Sequence, residues 1–163
     1  VENEGYAESP FMIMYHVNQP FPIVSEHSKV YSSALSVEPQ QEGGSDYQTV
    51  TKPDADYKYE TYVHNMPKNT DRAYMAVINE HLQIGVYLAY DPHALPVGNE
   101  WKMLGMQEYA IALEPSNTYN IGIVEARKRG CLPMLKPKER YEINLEIGML
   151  EGFEAIENFK KQL

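Results

Sequence analysis

The sequence predicts an all-β fold, an antiparallel sandwich or barrel, and three observations predict it. Short apolar or alternating runs recur along the 163 residues, each bounded by Pro, Gly, Asn or Asp. Helical periodicity is almost absent, so no layer of helices is available to cover a sheet. Hydrophobic residues make up 43% of the chain, enough for one domain with a core, and Tyr (13) outnumbers Phe (4) and Trp (1). Tyrosine joins an apolar ring to a hydroxyl and suits sheet faces and polar ligand sites.

The elements follow in order. Phe11–Val17 (FMIMYHV) reads as a buried strand, broken by Gln19-Pro20-Phe21-Pro22. Ile23–Lys29 is a brief extended piece. Residues 32–56 turn polar, with Pro39, Gly43-Gly44 and Pro53, and read as one long loop. Tyr57–His64 alternates as a strand. Arg72–Ile78 and Leu82–Tyr90 are two more, joined by a link at Asn79-Glu80-His81 short enough for a hairpin. Asp91–Glu100 is a loop with Pro92, Pro96 and Gly98. Tyr109–Leu113 is an apolar strand that runs into Glu114 and is expected to end there, because Pro115 has no N–H to give a ladder. A helix of one or two turns is expected over Ile123–Arg129, stopped by Gly130, and a turn over Leu135–Glu139. Arg140–Gly148 alternates, placing Tyr141, Ile143, Leu145 and Ile147 on one face of a half-buried strand. Ala155–Gln162 reads as a short terminal helix. No internal repeat is present.

Charge and cysteine usage narrow the function classes. Lys plus Arg is 14 against 23 Asp plus Glu, a formal charge of −9. The densest basic patch is Arg127-Lys128-Arg129, so nucleic acid and anionic membranes are poor partners. Cys131 is the single cysteine and allows no intrachain disulfide, which reads as a cytoplasmic thiol. No apolar run has the length of a membrane span. The acidic start, Val1-Glu2-Asn3-Glu4-Gly5, is unlike a signal peptide and lacks an initiator Met; it reads as a processed chain or a piece of a longer one.

A few residues are placed for chemistry. Glu114 is a carboxylate at the end of a buried run, costly unless it has a partner or a task. His16 lies in YHVN, and imidazole exchanges protons near neutral pH. Asn18, two residues on, projects to the same side of an extended strand, so the two could hold a polyhydroxylated ligand. Trp101 offers a platform for the C–H faces of a sugar, with Lys102 beside it for hydroxyls. His64 ends its strand on the face that carries Glu60. For each, a structural role is the simpler alternative: core filling for Trp101, a satisfied core imidazole for His16. No metal-ligand spacing, phosphate-cradling Gly-rich loop or GxSxG element appears.

In order along the chain, YHVNQPFP, EWKML, YAIALEPSN and ARKRGCLPMLKPKERYEINLEIG resemble an aldose 1-epimerase-like family, the DUF4432 branch of the galactose mutarotase-like superfamily. The resemblance runs from about Ser9 to about Gly152. It implies a large antiparallel β-sandwich, a supersandwich, with a sugar site across one sheet. Residues 1–163 would be the C-terminal portion of that single domain, since members are longer, and the sandwich would be incomplete. It also implies that His16 is the general acid to the ring oxygen and Glu114 the base to the anomeric hydroxyl, with no metal or organic cofactor; Asn18, His64, Trp101, Lys102 and Asn117 are the candidate sugar-binding residues. Two departures stand out. The family's further His and Arg come from upstream, and the aromatic motif after its His is here only Val17-Asn18. The alternative is a non-catalytic carbohydrate-binding protein. Open sheet edges would favour pairing with a missing N-terminal half or self-association.

Overall fold

The computed structural model describes all residues, Val1–Leu163, and stacks two antiparallel sheets. In chain order the strands are β1 (Ser9–Pro10), β2 (Val17–Pro20), β3 (Ser28–Ser32), β4 (Ser36–Pro39), β5 (Glu60–Asn65), β6 (Ala73–Asn79), β7 (Ile84–Tyr90), β8 (Val97–Leu104), β9 (Tyr109–Ser116), β10 (Met134–Leu135) and β11 (Leu145–Glu151). Helix α1 (Gly122–Lys128) follows β9, and α2 (Phe153–Lys160) follows β11. One sheet has the order β11-β7-β6-β3 and the other β2-β9-β8-β5-β4, while β1 and β10 pair with each other. Neither large sheet closes on itself, so the fold is a sandwich and not a barrel. No helix is long and apolar enough to cross a membrane.

Alternation along each strand builds the core. Val30, Met75, Val77, Leu88 and Tyr90 of the four-stranded sheet meet Leu104, Ile111 and Leu113 of the five-stranded sheet in one buried cluster. Gly98 is required in that layer: a Cβ there would lie 2.7 Å from both the Met66 methyl and the Met75 sulfur. The other face of the four-stranded sheet is covered by α2, whose Ile156 and Phe159 pack on Ala76, Ile78 and Leu150.

The predicted hairpin at Asn79–His81 is present as β6–β7, and α1 and α2 lie within a residue or two of their predicted spans. Several expectations need correction. The 32–56 segment is not one loop. It contains β4, which pairs with β5, and its remainder is pinned by three backbone carbonyls, Asp46, Tyr47 and Thr49, that accept from Lys102 Nζ. Phe11–Val17 is not a ladder strand. Regular pairing begins only at Val17 and runs through Gln19 to Pro20, tolerated because β2 is an edge strand. Ile23–Lys29 is mostly turn, and its extended part begins at Ser28. The Asp91–Glu100 loop ends early, with β8 starting at Val97, so Trp101 lies mid-strand.

Strand β9 continues through Glu114 and Pro115 to Ser116. The Pro115 carbonyl accepts from the Tyr15 N–H, so its missing donor faces that irregular segment and costs the β8 ladder nothing. The last strand is displaced to Leu145–Glu151. Its predicted core residue Ile147 does face the inner layer, across from Leu88, yet is 54% exposed because no strand of the opposite sheet reaches over it.

Candidate functional site

Register assigns every side chain of the five-stranded sheet to one of two faces. The inner face, against the core, carries Gly98, Glu100, Lys102 and Leu104 of β8 with Leu113 and Ile111 of β9 opposite. The outer face carries Val97, Asn99, Trp101 and Met103, with Ser116, Glu114, Ala112 and Ala110 opposite them. On β9's other side, Asn18 lies across from Ala112. The same register carried back past Val17 sets His16 across from Glu114, and it persists as far as the Met14–Ser116 bridge. On the far side of β8, Thr61 lies across from Trp101 and Val63 across from Asn99.

Two rows therefore cross the outer face. One runs His16, Glu114, Asn99, Val63. The other runs Asn18, Ala112, Trp101, Thr61. Ala112, between Asn18 and the indole, is fully buried.

His16 Nε2 lies 2.8 Å from Glu114 Oε1. The imidazole is about half exposed while the carboxylate is 5% exposed, so solvent reaches the pair from the histidine side. Burial pushes the Glu114 carboxyl above the usual carboxylate range, and the neighbouring His16 charge pulls it part of the way back. The backbone around the pair is fixed from both sides. Asn99 Nδ2 donates to the Glu114 carbonyl at 3.2 Å. Asn117 Nδ2 donates to the Phe11 carbonyl at 2.9 Å, and its Oδ1 accepts from the Ile13 N–H at 3.0 Å. Ser116 Oγ donates to the Ile13 carbonyl at 3.0 Å. This clamp carries the irregular Phe11–Tyr15 segment to His16.

His16, Asn18, Trp101 and Glu114 thus share one face. His64 and Lys102 do not. Both point into the core, where His64 Nε2 contacts Glu100 Oε2 at 3.1 Å and Lys102 Nζ lies 3.7 Å from Glu100 Oε1. Burial lowers the Lys102 ammonium below its usual value, opposed by the Glu100 charge. Lys102 is adjacent to Trp101 in sequence, and adjacent strand residues face opposite ways; reading Trp101 as following a loop concealed this. Asn117 is buried with both ends of its amide engaged, so it anchors backbone and has no free group for a ligand. Asn99 is hidden in the sequence because Pro92, Pro96 and Gly98 make the stretch up to Glu100 read as loop; strand parity with Trp101 sets it on the outer face. No group of three or more His, Cys, Asp or Glu side chains is placed to hold a metal ion.

The profile of the family described as "Domain of unknown function (DUF4432)" matches residues 1–149. The chain belongs to the DUF4432 family. Among solved structures, the DUF4432 chain superposes on a crystal structure, at 1.90 Å resolution, of a putative aldose 1-epimerase from Klebsiella pneumoniae subsp. pneumoniae MGH 78578, with a TM-score of 0.92 and 21% identity. The alignment covers 99% of this chain and 44% of that one, so the chain spans under half the length of the structure it matches. At that identity the likeness establishes the fold. No match was found among curated proteins.

Proposed function

We propose that this DUF4432 chain binds an uncharged sugar on the outer face of its five-stranded sheet and interconverts the sugar's anomers, as an aldose 1-epimerase. The observation that carries this is the His16–Glu114 pair, a half-exposed imidazole on a buried carboxylate of raised pKa. In the reaction, the Glu114 carboxylate takes the proton of the anomeric hydroxyl while the His16 imidazolium gives one to the ring oxygen. The C1–O bond of the ring breaks, leaving the open-chain aldehyde. Rotation about C1–C2 and closure on the other face return both protons. The two oxygens are bonded to one carbon, so an acid and a base that begin in contact need separate only enough to admit that carbon's substituents. The chemistry needs no metal or organic cofactor.

The rest of the face suits a neutral polyol. Beside the pair lie the exposed Asn18 and the half-buried Thr61 and Trp101, and neither Lys nor Arg projects from this face. A phosphorylated or carboxylated sugar would meet Glu114 and Glu38 with no compensating cation other than His16.

A second reading, carbohydrate binding without turnover, is favoured by the direct 2.8 Å contact, in which each group already satisfies the other. Polarimetry separates the two. Freshly dissolved α-sugars are expected to reach rotational equilibrium faster with the protein than in buffer, and Glu114→Gln to lower kcat roughly a hundredfold or more. Sugar binding without acceleration by the unsubstituted chain selects the second reading. Neither binding nor acceleration across a broad panel of neutral sugars ends both.

A further inference from the structure

We propose that Asn99 selects the sugar by the group at C2: its Oδ1 accepts the 2-hydroxyl, so that aldoses with a donor at C2 are substrates and those without one are poor substrates. The assignment rests on the anomer-interconverting reading given above and adds the substrate class to it. Both hydrogens of the Asn99 amide are committed within the chain. Nδ2 donates to the Glu114 carbonyl at 3.2 Å and lies 3.7 Å from the Met14 sulfur. The amide cannot turn over without losing both contacts, which fixes which end is oxygen. That oxygen accepts from no donor of the chain. The polar atoms sealed in the interior without a partner belong to Gln19, Gln41, His64, Tyr90 and Glu100, so the 5% of Asn99 that solvent reaches includes Oδ1. Glu114 beside it is as deeply set, at 4% exposed. The two form one floor, a carboxylate next to an unused acceptor.

The order of side chains across the sheet says which part of the sugar meets that acceptor. Glu114 stands on β9, with His16 on one side and Asn99 of β8 on the other. Directly opposed residues of neighbouring strands hold their Cβ atoms about 5 Å apart. In the reaction, Glu114 serves the anomeric oxygen and His16 the ring oxygen. The anomeric carbon has one further ring neighbour, C2. With the ring oxygen turned to His16, C2 is turned the opposite way, toward Asn99, and its substituent is the one within reach of Oδ1. An acceptor calls for an O–H or N–H there. A hydrogen at C2 leaves Oδ1 stripped of water and unpaired, and so does fluorine, which matches a hydroxyl closely in size but donates nothing.

Polarimetry on the chain tests this with glucose and galactose, each beside its 2-deoxy and 2-deoxy-2-fluoro analogues and each corrected for the same sugar in buffer. kcat/KM for the 2-hydroxy sugar is expected to exceed that for either analogue by about tenfold or more. Asn99 also holds the Glu114 backbone, so Asn99→Ala is expected to slow every sugar. The telling quantity is the ratio between sugars, which a purely structural role would leave alone; in Asn99→Ala it is expected to fall close to one. A ratio near one in the unsubstituted chain overturns the assignment and leaves anomer interconversion standing. A ratio that survives Asn99→Ala, or 2-fluoro sugars turned over as well as 2-hydroxy ones, overturns it too. Acceleration of none of these sugars removes the anomer-interconverting reading and the role of Asn99 together.

Discussion

At the scale of single residues, Glu114 shows how a sheet holds a costly group where it can act. Its carboxylate is nearly buried, and burial raises its pKa above the unfolded value. The sign of the consequence is fixed. A group protonated more readily in the folded state favours folding below the unfolded pKa and loses that contribution as pH rises through the folded one. The ionised carboxylate is therefore a liability at neutral pH, and Glu114→Gln is expected to melt higher than the unsubstituted protein at pH 7. The gap should close as pH falls below the ordinary carboxylate range, in thermal scans followed by circular dichroism. A variant that is less active and more stable would mark the residue as held for chemistry; lower stability at pH 7 would show that the His16 contact outweighs burial. Glu114 and His16, which lie in contact, each stand out in the sequence against an apolar run. His64 and Lys102 were misassigned for the same reason: a polar residue in an apolar strand looks alike whether it points to a ligand or to a buried partner. Only the register, which pairs residues far apart in sequence, separates the two cases.

At the scale of elements, the parts read best were those whose partners are close in sequence. The β6–β7 hairpin needs only its own two strands and a short link, and α1 is closed by Gly130. Strands whose limits depend on distant neighbours carry no local mark of where they end. β9 outlasts Pro115 because an edge segment some hundred residues earlier uses its carbonyl, and β4 was hidden in a polar stretch because its partner β5 supplies its order. Helix α2 is the element whose role the sequence concealed most. It is short, but its Ile156 and Phe159 cover Ala76, Ile78 and Leu150 on one face of the four-stranded sheet. Phe159 is buried there with its ring 5.7 Å from that of Tyr74 and 5.4 Å from that of Tyr87. Phe159→Ala is expected to destabilise the protein by about 3–5 kcal/mol in urea or thermal unfolding. Sugar binding by the remaining folded protein should not change, because the five-stranded sheet lies on the other side of the core.

At the scale of the whole molecule, stability and the proposed sugar site draw on alternate residues of the same strands. The inner face of β9 gives Ile111 and Leu113 to the core, while its outer face gives Ala112 and Glu114 to the candidate site. The all-β fold was legible because this alternation is written into each strand. The division of labour was not, because neither face is named until the two sheets are stacked. The arrangement predicts a clean separation. Ile111→Ala removes a fully buried side chain and is expected to cost about 2–5 kcal/mol of stability, read from the urea midpoint, with sugar affinity per folded molecule unchanged. Asn18→Ala, one strand away on an exposed outer position, is expected to shift stability by no more than about 0.5 kcal/mol and to weaken sugar binding measured by calorimetry. If Ile111→Ala altered affinity as much as Asn18→Ala, the ligand would have to reach the core and not the outer face. If Asn18→Ala left binding intact while Glu114→Gln abolished it, the sugar would lie along the row of His16, Glu114 and Asn99 and leave the row of Trp101 unused.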